Sequence, residues 1–235
     1  MATGNHRLDQ QSEELRSETG PRRRAGLEAD EILDRAVTLI EAEGAEALTM
    51  RRLAGELGVA TTTIYWHVGN RNELVTAVVR RHGERMARTP VEGDTARDRV
   101  LSVARLIWRT SLDHPEVTRL AAAHGASTLQ ARHLELAMAR ELQAAGVVGE
   151  TARDAMRAIT ACVGGFIVAA LRNDFTPEAL KRTAVLIDDD GAADLDPTTQ
   201  AALAEPADLP EVFEATLRAV VDSVVPADLT THAYL

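Results

Sequence analysis

Residues 61–67 gather side chains that suit contact with a polyanion and with polar base edges. Thr61, Thr62, Thr63, Tyr65 and His67 fall within seven positions. Hydroxyl and imidazole groups of this kind donate single hydrogen bonds to phosphate oxygens and to base edges in a groove. The surrounding charge agrees. Between 51 and 88 seven Arg stand against Glu56, Glu73 and Glu84, a local net of +4 on a chain whose formal net charge is -10. A basic module on an acidic body fits contact with nucleic acid through one end only. No G-x-S-x-G, P-loop or H-E-x-x-H pattern occurs, and no nucleophile stands with a base at hand, so the expectation is that the chain is not an enzyme.

These residues need rigid elements to hold them, and the flanking sequence supplies helices. Ala29, Ile32, Leu33, Ala36, Val37 and Ile40 repeat at helical spacing and predict a helix over 28–43, stopped by Gly44. Thr49 and Gly58 bracket a second over 50–57. A short third covers 61–67. A fourth starts after Asn70, where Asn70 and Glu73 have capping-box spacing, and Leu74, Val75, Val78 and Val79 give it an apolar face. Leu53, Ala54, Leu57, Val59 and Ile64 form a small core around a tight turn at Gly58. Ala54 permits close crossing and Gly58 a left-handed turn, which is helix-turn-helix geometry. A helical hairpin that only packs a core is the plain alternative, and the exposed Thr, Tyr and His argue against it.

The rest also reads as helix, over 97–113 with a break before Pro115, over 127–145, over 150–172 and over 211–225. Residues 173–210 hold Pro177, Pro197, Pro206 and Pro210 and read as loop, with helical pieces at 177–187. Residues 1–25 read as a disordered arm ending on Arg22-Arg23-Arg24. Charge runs are more often solvated than bound, and the sharper reading is an arm that touches DNA phosphate or the minor groove. Few aromatics and many helix formers predict an all-α chain. No apolar run approaches the length of a bilayer span, no secretory leader is visible and Cys162 is the only cysteine, so a cytoplasmic location and no membrane are expected.

Residues 28–80, and above all Tyr65-Trp66-His67-Val68 followed by Asn70-Arg71, closely resemble the DNA-binding domain of TetR-type repressors. The resemblance implies an N-terminal three-helix helix-turn-helix domain over 26–72, a connecting helix to about 88, and a larger helical ligand-binding and dimerisation domain over 89–235. It implies a homodimer on inverted-repeat double-stranded operator DNA, released by a small-molecule effector. A DNA-binding activator or global regulator without an effector is the alternative. By position, Arg51 matches a base-reading residue, Thr49 a phosphate-contacting cap, and Thr61, Thr62 and Thr63 the groove-facing start of the recognition helix. Tyr65, His67 and Arg71 match phosphate contacts, beside Asn70, and Trp66 a position near the groove with part of its ring packed on the domain. Two departures stand out. Ala60 replaces a capping residue, so Thr61 would serve, and Gly69 stands where tetracycline repressors carry Lys.

In the body the resemblance places a ligand pocket among the helices, with Met86, Trp108, His124, Met138, Met156 and Phe166 as candidate lining, though each also suits plain core. The dimer interface is expected on 150–172 and 211–225, with Gly164, Gly165, Phe213, Leu217 and Val220. Gly164-Gly165 suits close approach of a partner helix or else a local kink. No metal or cofactor is expected. The spacing of His82, His114, His124 and His133 supports no shared site, and the acidic run Asp188–Asp190 does not fit a calcium loop.

Overall fold

The computed structural model describes residues 28–174 and 195–226, apart from 204 and 206, together with 176 and 179. The arm 1–25, the helical pieces at 177–187 and the run Asp188–Asp190 lie outside the described residues. Among the described residues every regular element is helical.

Helix α1 spans Ala29–Glu43 and buries Ile32, Leu33, Ala36, Val37, Leu39 and Ile40. Ala29, expected on that face, lies exposed at the helix start. Gly44 ends α1 at φ 86, a conformation that favours glycine. A 3-10 turn at Ala45–Ala47 leads to α2, Met50–Leu57. Gly58, in the left-handed region at φ 66 and ψ 31, turns the chain toward α3, Thr61–Val68. Helix α4, Arg71–Met86, closes the unit. Ile32, Leu53, Ile64, Leu74 and Val78 are fully buried in one apolar cluster drawn from all four helices.

Helix α5, Ala96–Asp113, begins at a capping box of Thr95 and Asp98. The break expected before Pro115 is a corner rather than an end. Pro115 occupies the first position of a further helix, α6, Pro115–Ala123, where its missing N–H costs nothing. Although α6 falls in the range expected for the body, Val117, Leu120 and Ala121 complete the first core. Glu41 of α1 accepts a hydrogen bond from the Val117 N–H at 3.1 Å and so satisfies the start of α6.

Helices α7, Ser127–Ala144, and α8, Gly149–Arg172, build the body. Pro197–Leu203 forms a short helix, α9, within the stretch expected as loop, again with proline at its start. Helix α10, Leu209–Val224, is capped by Asp208, which accepts from the Glu211 N–H. Val100, Val103, Met138, Leu142, Ile159 and Leu217 fill a second core. Arg105 forks onto Glu214 and Arg99 reaches Glu141 at 2.7 Å, tying α5 to α10 and α7. The Glu214 carboxyl is held below its usual range by Arg105.

One expectation changes in the body. Helix α8 is long and apolar enough, by length and composition, to cross a membrane, with a mean hydropathy of 1.5 over eighteen residues. Looking for an unbroken apolar run missed it, because Arg157 and small residues are averaged in rather than excluded. Only 17% of that window is buried, so α8 presents an apolar side that nothing among the described residues covers.

Candidate DNA-binding interface

The exposed end of the first unit is built by α2, α3 and the start of α4. The Thr49 side chain accepts from the Arg52 N–H at 3.1 Å, capping α2, and its own O–H remains free to donate. The next two arginines differ sharply. Arg52 is ion-paired with Glu43 at 2.7 Å and with Glu56 at 3.2 Å. Glu56 is also bound by Arg35, which holds its carboxyl below the usual range. Arg51 is exposed and has no carboxylate partner among the described residues. The fold neutralises the acids beside α2 and leaves one guanidinium for an outside anion.

Helix α3 anchors itself through buried Ile64 and Val68. Four residues apart, these share one side of the helix and fix which side faces out. Thr62, Tyr65 and Trp66 are exposed, while Thr61, Thr63 and His67 are half-buried. Ala60 sits at the N-cap with no side-chain hydrogen bond, and Thr61 is the first helical residue rather than a substitute cap. Trp66 departs from expectation: 86% of it is exposed, and its one ring neighbour is His67, edge-on at 5.8 Å. Two residues past Ile64, it points away from the side held by Ile64 and Val68, so the edge contact with His67 is the one ring contact it makes among the described residues.

Gly69 is explained by its backbone. It sits at φ 71, and a Cβ there would meet the Glu73 carboxylate, whose carbon would be 2.8 Å away. That carboxylate accepts from the Asn70 N–H at 2.7 Å, and Asn70 Oδ1 accepts from the Asn72 and Glu73 N–H groups. The capping box occupies the Asn70 oxygen and leaves its side-chain N–H groups free. Arg71 follows at the first position of α4, half-buried and without a carboxylate partner among the described residues, at a helix end that favours anions. Sequence reasoning missed Arg80. It is exposed, has no carboxylate partner among the described residues, and shares a groove with His67 and Asn70. The signal was the stripe Asn72, Thr76, Arg80 at four-residue spacing on α4.

The body residues separate into groups. Met86, Trp108, Met138, Met156 and Phe166 converge in the second core. His124 does not join them. It is exposed at the end of α6 with Nδ1 3.0 Å from the Leu120 carbonyl oxygen. Phe213 and Leu217 are corrected as surface interface residues: both are buried inside this chain, and Phe213 stacks on Trp108 with centroids 4.4 Å apart. Val221 is buried beside them, while Val212, Ala215 and Ala219 of α10 are exposed and Val220 and Val224 half-buried. A Cβ on Gly164 or Gly165 would meet no atom of a neighbouring element within 4 Å among the described residues. Cys162 is half-buried on α8, its thiol pushed up by burial.

The histidines hold one surprise. His82 and His114, thirty-two positions apart, meet edge-on with ring centroids 4.6 Å apart. His82 is buried and its pKa is lowered to about 4, first by desolvation, then by His114 and Arg85. Among the described residues no group of three or more His, Cys, Asp or Glu is placed to hold a metal.

A helix-turn-helix end with unpaired arginines, carried on an all-helical body, defines the class of DNA-binding bacterial regulators. The family described as bacterial regulatory proteins, tetR family, matches residues 32–78. Tetracycline repressor protein class E of Escherichia coli is 40% identical over 72 residues, 29% of this chain and 34% of that protein. The transcriptional repressor DrrR1 of Streptomyces coeruleorubidus is 30% identical over 180 residues, 72% of this chain and 64% of its own length. A TetR transcriptional regulator from Streptomyces coelicolor superposes with a TM-score of 0.70 at 26% identity, covering 84% of this chain and 97% of that one. Apo ActR from the same organism gives 0.67 at 23%, covering 85% and 97%, a likeness of fold. The chain belongs to the TetR family of transcriptional regulators. It spans between about a third and two thirds of the length of these curated relatives.

Proposed function

We propose that this protein is a homodimeric repressor that grips inverted-repeat operator DNA through α2, α3 and the start of α4, and releases it when a small molecule binds the body. The observation that carries the reading is the pairing of exposed Thr62, Tyr65 and Trp66 with the unpaired cations Arg51 and Arg71 on one end of the first unit. In this reading Arg51 reads a guanine edge, and Thr61, Thr62 and Thr63 line the major groove. Thr49, Tyr65, His67, Asn70 and Arg71 hold phosphates, with Trp66 at the groove edge. Two copies are required because a palindromic site mirrors a two-fold dimer. The uncovered side of α8, with Gly164-Gly165 open to a partner helix, and Val212 and Val220 of α10 supply the surface for it.

Release follows from α4 belonging to both cores. Leu74, Val75 and Val78 pack in the first and Met86 in the second. Sixteen residues make a lever about 24 Å long. A ligand that displaces Met86, Trp108 or Phe166 would swing the Asn70–Arg71 end. A coupling of about 1–3 kcal/mol gives a 5–150-fold change in affinity, and operator must weaken the ligand by the same factor. The experiment is selection of an operator from random duplexes, then titration of candidate effectors with and without it. A second reading, a regulator with no effector, draws on the ring packing of Trp108, Phe166 and Phe213, which fills the body in this conformation. Equal effector affinity with and without operator, or no effector found, favours that reading.

A further inference from the structure

Helix α4 carries Arg71, Arg80, Arg81 and Arg85, and the fold sorts them. Arg81 is ion-paired with Asp30 of α1 at 2.9 Å and lies 3.5 Å from Asp34. Arg85 pairs with Asp34 at 3.1 Å. These two brace α4 against α1. Arg80 lies beside Arg81 in sequence, yet it is exposed and has no carboxylate partner among the described residues. The same sorting occurs on α2, where Arg52 is paired and Arg51 is left for an outside anion.

Arg80 borders a groove between α1, the end of α3 and the first half of α4. Ala29 and Leu33 form one wall, and His67, Asn70, Asn72 and Arg80 place donors along the other. The Glu73 carboxylate also lines it, but that group accepts from the Asn70 N–H at 2.7 Å, at a helix start whose peptide dipoles offset its charge. Helical geometry then fixes which anion Arg80 can reach. Arg71 and Arg80 are nine residues apart, about two and a half turns and about 14 Å of rise, so they project from opposite sides of α4. They cannot close on one phosphate. A DNA strand presents a phosphate about every 3.4 Å of axis, so a backbone crossing the start of α4 offers separate ones to the two sides.

We propose that this groove is a second phosphate seat, in which Arg80, with His67 and Asn72, holds a DNA backbone phosphate distinct from the one at Arg71. This rests on the DNA-binding reading above. Contacts of this kind carry no sequence information but fix the orientation of the protein on the duplex. With a phosphate on each side, α4 is gripped in one orientation. A tilt of α4 that keeps one contact breaks the other, so Arg80 makes binding sensitive to the angle of the lever.

The test uses the full chain and the operator selected by it. Fluorescence anisotropy gives affinity against salt for wild type, R80A, R80K and R71A, and ethylation of single operator phosphates, which removes their charge, maps those each protein needs. R80A should weaken operator and shuffled duplex alike, by about fivefold for each subunit at about 0.15 M salt, and flatten the salt slope by about one unit per subunit. Its melting temperature should be unchanged, and R80K should keep the wild-type slope. Ethylation should show one phosphate per half-site that matters to wild type and R71A but not to R80A, and another that matters to wild type and R80A but not to R71A. An R80A protein with wild-type slope and affinity overturns the proposal in favour of a solvated side chain. Loss of the same phosphate in R80A and R71A overturns the second seat, and a loss confined to the operator makes Arg80 a base reader, which also overturns it. In each of these the wild type still prefers its operator, so the DNA-binding reading stands. If the wild type selects no sequence at all, that reading has failed and the seat with it.

Discussion

Gly83 sits where α4 crosses α7, and the substitution Gly83→Ala sets two known effects against each other. Alanine in a helix interior is favoured over glycine by about 1 kcal/mol. At this crossing, however, the new Cβ would run into the Gln130 carbonyl oxygen, with the carbonyl carbon 3.1 Å and Cα 3.3 Å away. Backbone cannot rotate aside as a side chain can, so the helices must part by about 1 Å to restore ordinary contact. Gln130 is also tethered: its Nε2 donates to Thr118 Oγ1 at 3.2 Å, and Thr118 donates to the Ser111 and His114 carbonyls at 3.0 Å. Moving α7 therefore pulls on the corner between α5 and α6. Overpacking of this kind costs about 1–3 kcal/mol, which outweighs the propensity gain. The expected net loss is about 1 kcal/mol, a fall in Tm of about 2–4 °C for a chain of this size. Gly55→Ala is the control. Gly55 lies in α2 with nothing within 4 Å of a new Cβ, so the same substitution there should raise Tm. Far-UV circular dichroism on heating measures both. A Gly83→Ala protein as stable as Gly55→Ala would refute the close crossing and the tether built on it.

Further outcomes follow from the same geometry. His82 resists protonation down to about pH 4, whereas the unfolded chain protonates near 6.5. The stability this contributes is present above pH 6.5 and is lost as pH falls toward 4, by about 3 kcal/mol. Urea unfolding across that range should show the loss, and His82→Leu should flatten it; parallel pH profiles for the two proteins would contradict the assignment. Gly165→Leu should leave the fold of one chain intact and raise the dimer dissociation constant by tenfold or more in sedimentation equilibrium. An unchanged constant would move the interface elsewhere. Arg71→Ala should weaken binding to all duplexes alike and flatten the salt slope by about one unit per contact. A sequence-dependent loss in anisotropy titrations would make Arg71 a base reader instead.

The helix-turn-helix unit was legible because local chemistry fixes it. Thr49 caps one helix, Gly58 turns the chain, and Asn70 with Glu73 starts the next, each within four residues of its partner. Misreadings came where the deciding contact lies far along the chain. Pro115 reads as a breaker until Glu41 of α1 is seen to cap the helix it begins. Phe213 and Leu217 repeat like an interface stripe, and only the position of Trp108 shows that they face inward. His82 and His114 look unrelated at thirty-two residues' separation, yet α4 and the α5–α6 corner bring their rings together. Trp66 was the opposite case: a large apolar ring is ordinarily buried, and nothing local shows that its own domain leaves it bare.

The central claim is that Arg51 and the exposed side of α3 read a specific sequence. Its most direct test is a titration of the selected inverted-repeat duplex, against a shuffled duplex of equal composition, with wild type and Arg51→Ala at about 0.15 M salt. The wild type should prefer its operator by at least about 10³-fold, and Arg51→Ala should lose about 1–3 kcal/mol on the operator with little change on the shuffled duplex. Equal affinity of the wild type for both duplexes, or an Arg51→Ala protein that binds its operator like wild type, would contradict the account.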